Sequence, residues 1–569
     1  MFKTSSNSGM TRRSFLQGSV IAGTAAAAMG IMGCAPSGEA EEAPAAEDGA
    51  GAAEEAAAPA SDGFPSSEAF EGMQPPVEGE IAFVADPIEE ADIVETVDVD
   101  VVVCGAGWAG CCAATAAAEG GASVVLLQKG DAIACNGGEI SAFGDKVHEH
   151  YDEIIDPEQY IADLMYTANF RIDENVVRRF VAKSGEAMDW LMGIVEDKIA
   201  YPELSLQKHD VRGGINWYSS AVSFNGGGGV MALSPLLLEY AASVGDIDVR
   251  YNTPACQLVQ DAEGAIVGVI AKNEEGAYIQ FNTAKGVILA TGGYEFNWER
   301  LKKCIRPRDL AVRAYVNGCV GNTGDGHEMG LAVGAMEDEY PHCFVNDPSG
   351  TLSGVAFGAA IHPFLRVNDF GVRFVNEAIP SNFLANAVSS QPGAHDWVIA
   401  DSKMATDMEK IRDLVIPGTT PESEAETFMK DSETADTLEE LAEKMGVNPD
   451  AFVASVERYN ELCAKGEDED FHKPADKLSD VTQPPFYACN EGQILLATEN
   501  GLVVNSDAAV MNGQTKMPIP GLFAVGTCAG SMFHDTYPHH CSGISLGRAL
   551  TYGWIAGRIL SGVDEPVNK

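Results

Sequence analysis

The sequence predicts an α/β fold with a second, α+β domain inserted into it. Three observations predict this. Residues 96–130 form a strand–glycine turn–helix–strand unit, the texture changes between 337 and about 495, and short apolar strands followed by one long helix return after 496. In the first unit Val97, Val99 and residues 101–103 read as a buried strand. Gly105, Gly107 and Gly110 spell G-x-G-x-x-G, an Ala-rich helix stops at Gly120 and Gly121, and residues 123–128 are a second strand. This is the Rossmann-like arrangement that grips a dinucleotide. Gly105 permits the tight turn, Gly107 lets the backbone approach a pyrophosphate, and Gly110 lets helix and strand pack closely. The helix start offers free N–H groups and partial positive charge to the phosphates. Gln128 stands where such units usually carry an acidic residue for the ribose, and its amide oxygen can still accept; Lys129 follows it.

The length of 569 residues allows a large core and two domains. With 84 acidic against 36 basic residues the formal charge is −48, which repels nucleic acid, and no basic stripe offsets it. The 13 cysteines include no C-x-x-C, C-x-x-C-H or ferredoxin-type run, which argues against c-type haem and common iron–sulfur clusters. No metal site is expected. Cys111 and Cys112, inside the first helix, read as small core residues.

Residues 1–34 read as an export signal. Thr11-Arg12-Arg13-Ser14-Phe15-Leu16 resembles the twin-arginine motif, and residues 20–32 are an apolar run too short to span a membrane comfortably. Ile31-Met32-Gly33-Cys34 resembles a lipobox, so a lipidated Cys34 is the expected membrane anchor. Residues 35–95, rich in Ala, Glu, Gly, Pro and Ser, read as a disordered acidic tether. The first part of the nucleotide domain spans 96–336. In it Asn136, Gly137 and Gly138 belong to a polar loop suited to wrapping a pyrophosphate, residues 157–197 read as amphipathic helix, and a glycine run at 225–229 precedes a helix near Leu233. Residues 249–290 alternate as strands with turns at 261–264 and 273–276. They lead into Thr291, Gly292 and Gly293, a second close-approach turn, and Asp325 and Gly326 then open another helix. Residues 337–495 form the second domain, with a capping box at 437–440 and a helix over 449–465. Residues 496–569 return to the first domain through strands at 501–505 and 521–527, the latter ending in Gly526 and Thr527. Ser542, Gly543, Ser545 and Leu546 begin the last helix.

Taken in order, G-A-G-W-A-G, A-T-G-G-Y-E-F-N, N-T-G-D-G, R-F-V-N-E, the 438–472 region, G-L-F-A-V-G-T and S-G-I-S-L-G-R-A-L-T-Y-G-W-I-A-G resemble the flavoprotein superfamily of fumarate reductase, urocanate reductase and ketosteroid dehydrogenase. The resemblance covers about 96–557. It implies FAD as cofactor, a Rossmann-like FAD domain in discontinuous segments, and an inserted capping domain that closes over the substrate. It carries FAD contacts onto Gly105, Gly107, Ala109, Gly110, Gln128, Ala255, Asp325, Thr527, Ser545 and Leu546, with Asn136 a looser match. The last helix start would stabilise negative charge at the flavin N1/O2 edge.

The branch is read from what is missing. Fumarate-reductase-like members hold a dicarboxylate with the histidine of H-T-x-G-G and two arginines; the matching positions here are Ala497, Ser381 and His540. Bidentate carboxylate binding needs the planar fork of arginine. Tyr537-Pro538-His539-His540-Cys541-Ser542-Gly543 instead resembles the Y-P-x-x-G of ketosteroid dehydrogenases with two residues inserted. The implied reaction is hydride transfer at flavin N5 across a C=C bond conjugated to a carbonyl, with one group polarising the carbonyl and an acid protonating the α-carbon. His540 is the first candidate, since an unperturbed imidazole titrates near neutrality; Tyr537, His539 and Ser542 follow. The expected substrate is a small unsaturated molecule, an enone or enoate of steroid-like or aryl acrylate type. The alternatives are a fumarate- or urocanate-type carboxylate reduction and an oxidative ketosteroid dehydrogenation. An exported flavoprotein without its own haem needs an external electron donor, for which a membrane quinol-linked cytochrome is expected at the outer face of the cytoplasmic membrane or in the periplasm. A flavin monooxygenase or amine oxidase would lack N-T-G-D-G and R-F-V-N-E, and a non-enzymatic FAD carrier would not need the cap or the polar 537–542 cluster.

Overall fold

The computed structural model describes residue 75 and residues 77–568, apart from 206–210, 213–214, 225–227, 316–318, 350–361 and 413–419. The twin-arginine pair, Cys34 and most of the glycine run at 225–229 lie outside the described residues. No described helix is long and apolar enough to cross a membrane.

The nucleotide unit folds as its pattern dictates. β1 (Ile93–Cys104) leads through Gly105 into α1 (Trp108–Glu119) and β2 (Ser123–Leu127). β1 and β2 pair in parallel from Val101↔Val124 to Cys104↔Leu127. β3 (Asp246–Arg250) extends this edge, again parallel to β2. β4 (Ala255–Gln260), β5 (Ile266–Lys272) and β6 (Tyr278–Leu289) form a meander, and β6 returns parallel to β1. The end of β1 is fully apolar because both faces are covered: Val101 and Val103 enter a core with α1, while Val102 and Cys104 enter one with the meander.

Residues 157–197 are two helices rather than one, which corrects the single amphipathic stretch. α2 (Pro157–Thr167) and α3 (Glu174–Val195) are capped by Asp156 and Asp173 and parted at Asn169 and Phe170, both left-handed at φ 53° and 56°. α4 (Gly229–Val244) begins four residues before Leu233.

A second sheet is assembled from β7 (Ala314–Tyr315), β8 (Phe344–Ser349), β9 (Leu365–Val367), β10 (His395–Asp401), β11 (Ser432–Ala435) and the long β12 (Phe486–Thr498). α5 (Asp325–Ala332) precedes β8, and α6 (Ser381–Ser389) follows β9. α7 (Leu438–Met445) and α8 (Pro449–Lys465) end at left-handed Gly446 and Gly466. β13 (Ala509–Met511) and β14 (Pro518–Ala524) rejoin the first sheet, β14 parallel to β6, before α9 (Ile544–Ser561). The first sheet thus runs β13-β14-β6-β1-β2-β3 among the described residues.

The 35–95 tether needs correction at its end. Gly79 N–H donates to Phe296 O at 2.9 Å and Val84 N–H to Cys256 O at 3.1 Å. Ala82 and Phe83 N–H both donate to Asp325 Oδ1, at 2.8 and 3.0 Å. Composition could not reveal this, because the segment is held by backbone bonds to residues far along the chain.

Candidate active site

A cavity of about 410 Å³ opens where the carboxyl ends of β1, β2 and β6 meet the starts of α1 and α9. Crevices at the carboxyl ends of parallel strands are where α/β folds bind nucleotides. Gly105, Gly107 and Ala109 line it from the first turn. Gly105 has φ +110°, and a Cβ there would lie 2.3 Å from Ala290 O, so only glycine fits. A Cβ on Gly107 would meet only Ala134 O at 3.3 Å, which leaves the backbone open to the cavity. The first helical bond of α1 runs from Cys111 N–H to Gly107 O. The N–H groups before it are therefore without helical acceptors, as anion binding requires.

Gln128, Lys129, Asn136, Ala255, Thr291, Gly292, Asp325, Gly526, Thr527, Ser545 and Leu546 also line the cavity. Two of these are committed elsewhere as well. Gln128 Oε1 accepts from Ala106 N–H at 3.0 Å and its amide donates to Ala132 O at 2.7 Å, so it braces the glycine turn with one lone pair remaining. Lys129 Nζ pairs with Asp325 Oδ2 at 2.9 Å, and Asp325 in turn holds the 82–83 backbone.

Six predicted contacts are absent from the lining: Gly110, Gly137, Gly138, Gly293, Gly326 and Gly543. Most of them let backbones approach behind the wall. A Cβ on Gly110 would fall 1.8 Å from Gly105 O, one on Gly326 2.2 Å from Thr291 Oγ1, and one on Gly543 2.8 Å from Glu139 O. Gly137 O and Gly138 O accept from Val230 and Phe224 N–H.

The catalytic candidates separate sharply. His540, placed first by sequence, is fully buried and does not line the cavity. Neither ring nitrogen has a hydrogen-bond partner among the described residues, and burial pulls its pKa down to about 4. A neutral buried imidazole, with burial outweighing the nearby Asp163, is poorly placed to exchange protons, which corrects its ranking. Ser542 donates to His539 O at 3.3 Å and closes the turn before α9. Tyr537 is better placed. It too is buried and outside the lining, but its oxygen accepts from the N–H of Ser545, a lining residue, at 3.1 Å. Burial pushes its phenol well above the ordinary range, so it keeps a proton to donate. His539 lies beside it, ring centroids 5.0 Å apart, with Nε2 3.5 Å from Asp347 Oδ1.

Sequence reading missed three features. Glu499 is buried between Ser545 Oγ (2.6 Å) and Arg548 (2.7 Å), and burial raises its carboxyl to about 7. Glu295 is buried against Asn322 and Thr498 and lines the cavity. Asp347 is brought to His539 from β8, nearly two hundred positions away in sequence. Glu499 stands two residues after Ala497 and Glu295 inside A-T-G-G-Y-E-F-N, so both had a local signal; Asp347 had none.

Two glycine turns, two helix starts and an open backbone at Gly107 suit an extended, phosphate-bearing nucleotide, and the FAD binding domain model matches residues 100–546. The chain belongs to the FAD binding domain family. Its cofactor is FAD, and it is an oxidoreductase of the kind that acts on C=C bonds. A cytochrome-type fumarate reductase of Shewanella frigidimarina is 28% identical over 468 residues, covering 81% of this chain and 76% of the relative. A urocanate reductase of Eggerthella lenta is 29% identical over 486 residues, covering 81% and 74%. A crystal structure of 3-ketosteroid-Δ4-(5α)-dehydrogenase from Rhodococcus jostii superposes with TM-score 0.66 at 24% identity, covering 84% of this chain and 99% of the other; it speaks to the fold alone. Both branches anticipated from the motifs are thus represented. In this FAD family member Gly105, Gly107 and Ala109 would hold the pyrophosphate, Gln128 the ribose, and Ser545 and Leu546 the flavin edge.

Proposed function

We propose that this chain reduces a C=C bond conjugated to a carbonyl, in an enone or aryl acrylate-like substrate, with Tyr537 as the group that polarises the carbonyl. The observation that carries the reading is the Tyr537 hydroxyl, held by the N–H of Ser545, which lines the cavity, with no acceptor for its own proton among the described residues. Bound FAD supplies the hydride. Tyr537 lowers the barrier by donating toward the carbonyl oxygen as negative charge develops there. His539, facing Asp347 at 3.5 Å, is the proton donor for the α-carbon. Ala497 and Ser381 offer no positive charge to a carboxylate, and Ser381 instead bonds Asp347. This favours an uncharged acceptor end over a fumarate-type dicarboxylate.

Electrons come from an external donor, with a quinol-linked cytochrome as the partner of choice. Export by the twin-arginine route and lipidation of Cys34 would place the enzyme at the outer membrane face beside it. The test is anaerobic reoxidation of the reduced, FAD-loaded chain by fumarate, urocanate, aryl acrylate esters and 4-ene-3-ketosteroids. Fast reoxidation by the esters or steroids, slowed about 10²–10³-fold in Tyr537→Phe with FAD retained, is the expected result. Fast reoxidation by fumarate, or an unimpaired Tyr537→Phe, would overturn the reading.

A further inference from the structure

Beside His539 the structure buries a group of oxygen acceptors without hydrogen-bond donors among the described residues. β8 pairs with β12 through Val345↔Ala497, and Ala497 lines the flavin cavity. A register shift follows directly, between Val345 and Asn346. It delivers Asn346 and Asp347 to the space between β8, α6 and the 534–540 segment. α6 supplies Asn382 and Asn386. Their amide nitrogens converge on Thr536 Oγ1, at 3.5 and 3.0 Å, and Asn346 Nδ2 points to Asn386 Oδ1 at 3.4 Å.

That network uses the nitrogens and leaves oxygens over. Asn346 Oδ1, Asp347 Oδ2 and Asn382 Oδ1 have no hydrogen-bond partner among the described residues, and all three residues are at most 4% exposed. Buried acceptors are nearly always satisfied; His539 Nε2, itself unpartnered and 3.5 Å from the Asp347 carboxyl, can serve at most one of the three, so the described residues do not supply donors for all of them. The charges that face them are Glu139, itself bonded to Ser205, and His539. Arg306 reaches the same segment but is paired with Asp309 and Asp535. A carboxylate-ended ligand would therefore meet Asp347 with one imidazole for compensation.

We propose that Asn346, Asp347 and Asn382 form a subsite for hydroxyl donors, so that the substrate is an uncharged conjugated alkene bearing phenolic hydroxyls at the end remote from the reacting bond. The proposal rests on the placing of that bond beside Tyr537. Hydroxyls are favoured over an ammonium group because two of the three acceptors are neutral amides and Asp347 already faces His539.

The test measures binding, not turnover. The full chain with oxidised FAD is titrated, by the change in flavin absorbance, with methyl 3,4-dihydroxycinnamate, its 3,4-dimethoxy analogue, the free dihydroxy acid and a methyl 4-(aminomethyl)cinnamate. The dihydroxy ester should bind at least about tenfold tighter than the other three. Asn382→Leu, of similar volume, should shrink the hydroxyl-to-methoxy ratio about tenfold while leaving the methoxy affinity within roughly threefold. Asp347→Asn serves if that variant does not fold, and should also narrow the ratio. Equal affinity for the hydroxy and methoxy esters, or a preference for the acid or the amine, would overturn the subsite. A retained hydroxyl preference without any reoxidation of reduced flavin would instead remove the reductase reading and leave the subsite standing.

Discussion

Glu499 is buried against Ser545, which lines the flavin cavity, and its protonation is set by opposing influences. Burial raises its carboxyl from 4.5 to about 7, while Arg548 and Ser545 pull it back down. Arg548 is itself buried, donates to Glu499 O and Ala529 O, and stacks 4.5 Å over the Phe533 ring. The raised carboxyl has a signed consequence. The folded chain keeps a proton on Glu499 that the unfolded chain releases, so this contribution to stability is full below pH 4.5 and is lost as pH rises through about 7. His540 works in the opposite direction: depressed from 6.5 to about 4, its contribution is present above 6.5 and lost as pH falls through 4. The two oppose one another in mild acid, and near neutrality Glu491, raised by burial to about 8, acts in the same direction as Glu499. Glu499→Gln should therefore flatten the fall in melting temperature from about pH 6.5 to 7.5 by roughly 1 °C. Parallel melting curves for the two proteins would show that Arg548 keeps Glu499 ionised throughout.

At the scale of elements, R-F-V-N-E turns out to be a device for packing. Arg373 Nε bonds Glu377 at 2.8 Å and its other arm bonds Asp468 at 2.7 Å, between the rings of Tyr459 and Phe471, both at 4.9 Å. Lys473 completes the set, 3.3 Å from Glu377. The cluster ties the turn after β9 to α8 and the loop beyond it. Arg373→Met leaves two buried carboxylates with one lysine and should cost about 3–5 kcal/mol in urea unfolding. Adding Asp468→Leu should recover part of that; a single-variant loss below about 1 kcal/mol would mean the pair is dispensable. The motif also marks how far the sequence could be read. The pairing of Arg373 with Glu377 is four residues long and visible in the letters. The pairing with Asp468 spans 95 positions and depends on how α8 packs. The same divide runs through the site. The turn at Gly105–Gly110 was legible because its chemistry is local, as were the parallel strands β1 and β2 and the Thr437 cap of α7. Asn346, Asp347 and Asn382 were not, because each is an ordinary polar residue until three separate segments meet. His540 was overvalued for a related reason: the letters display an imidazole but not its burial.

At the scale of the whole molecule, the chain preceding the first strand takes part in the cofactor site. Residues 79–84 run along the fold from Phe296 to Cys256, and in passing give two backbone N–H groups to Asp325. Asp325 lines the cavity and holds Lys129, which also lines it. Removing the segment would leave a buried carboxylate with Lys129 and Thr323 as its remaining partners. Hydrogen bonds to a charged group are each worth about 1.5–3 kcal/mol, so the Lys129–Asp325 wall should loosen and FAD affinity should fall. A chain beginning at residue 95 should therefore release FAD at least about tenfold more readily than one beginning at residue 77, read from recovery of flavin fluorescence on dilution. Asp325→Asn in the longer chain separates the causes. It keeps both backbone bonds but loses the ion pair, and should fall between the two truncations. Equal affinity in the 77 and 95 chains would confine the role of the segment to covering the hydrophobic face around Ala82, with the cofactor held by the two helix starts alone.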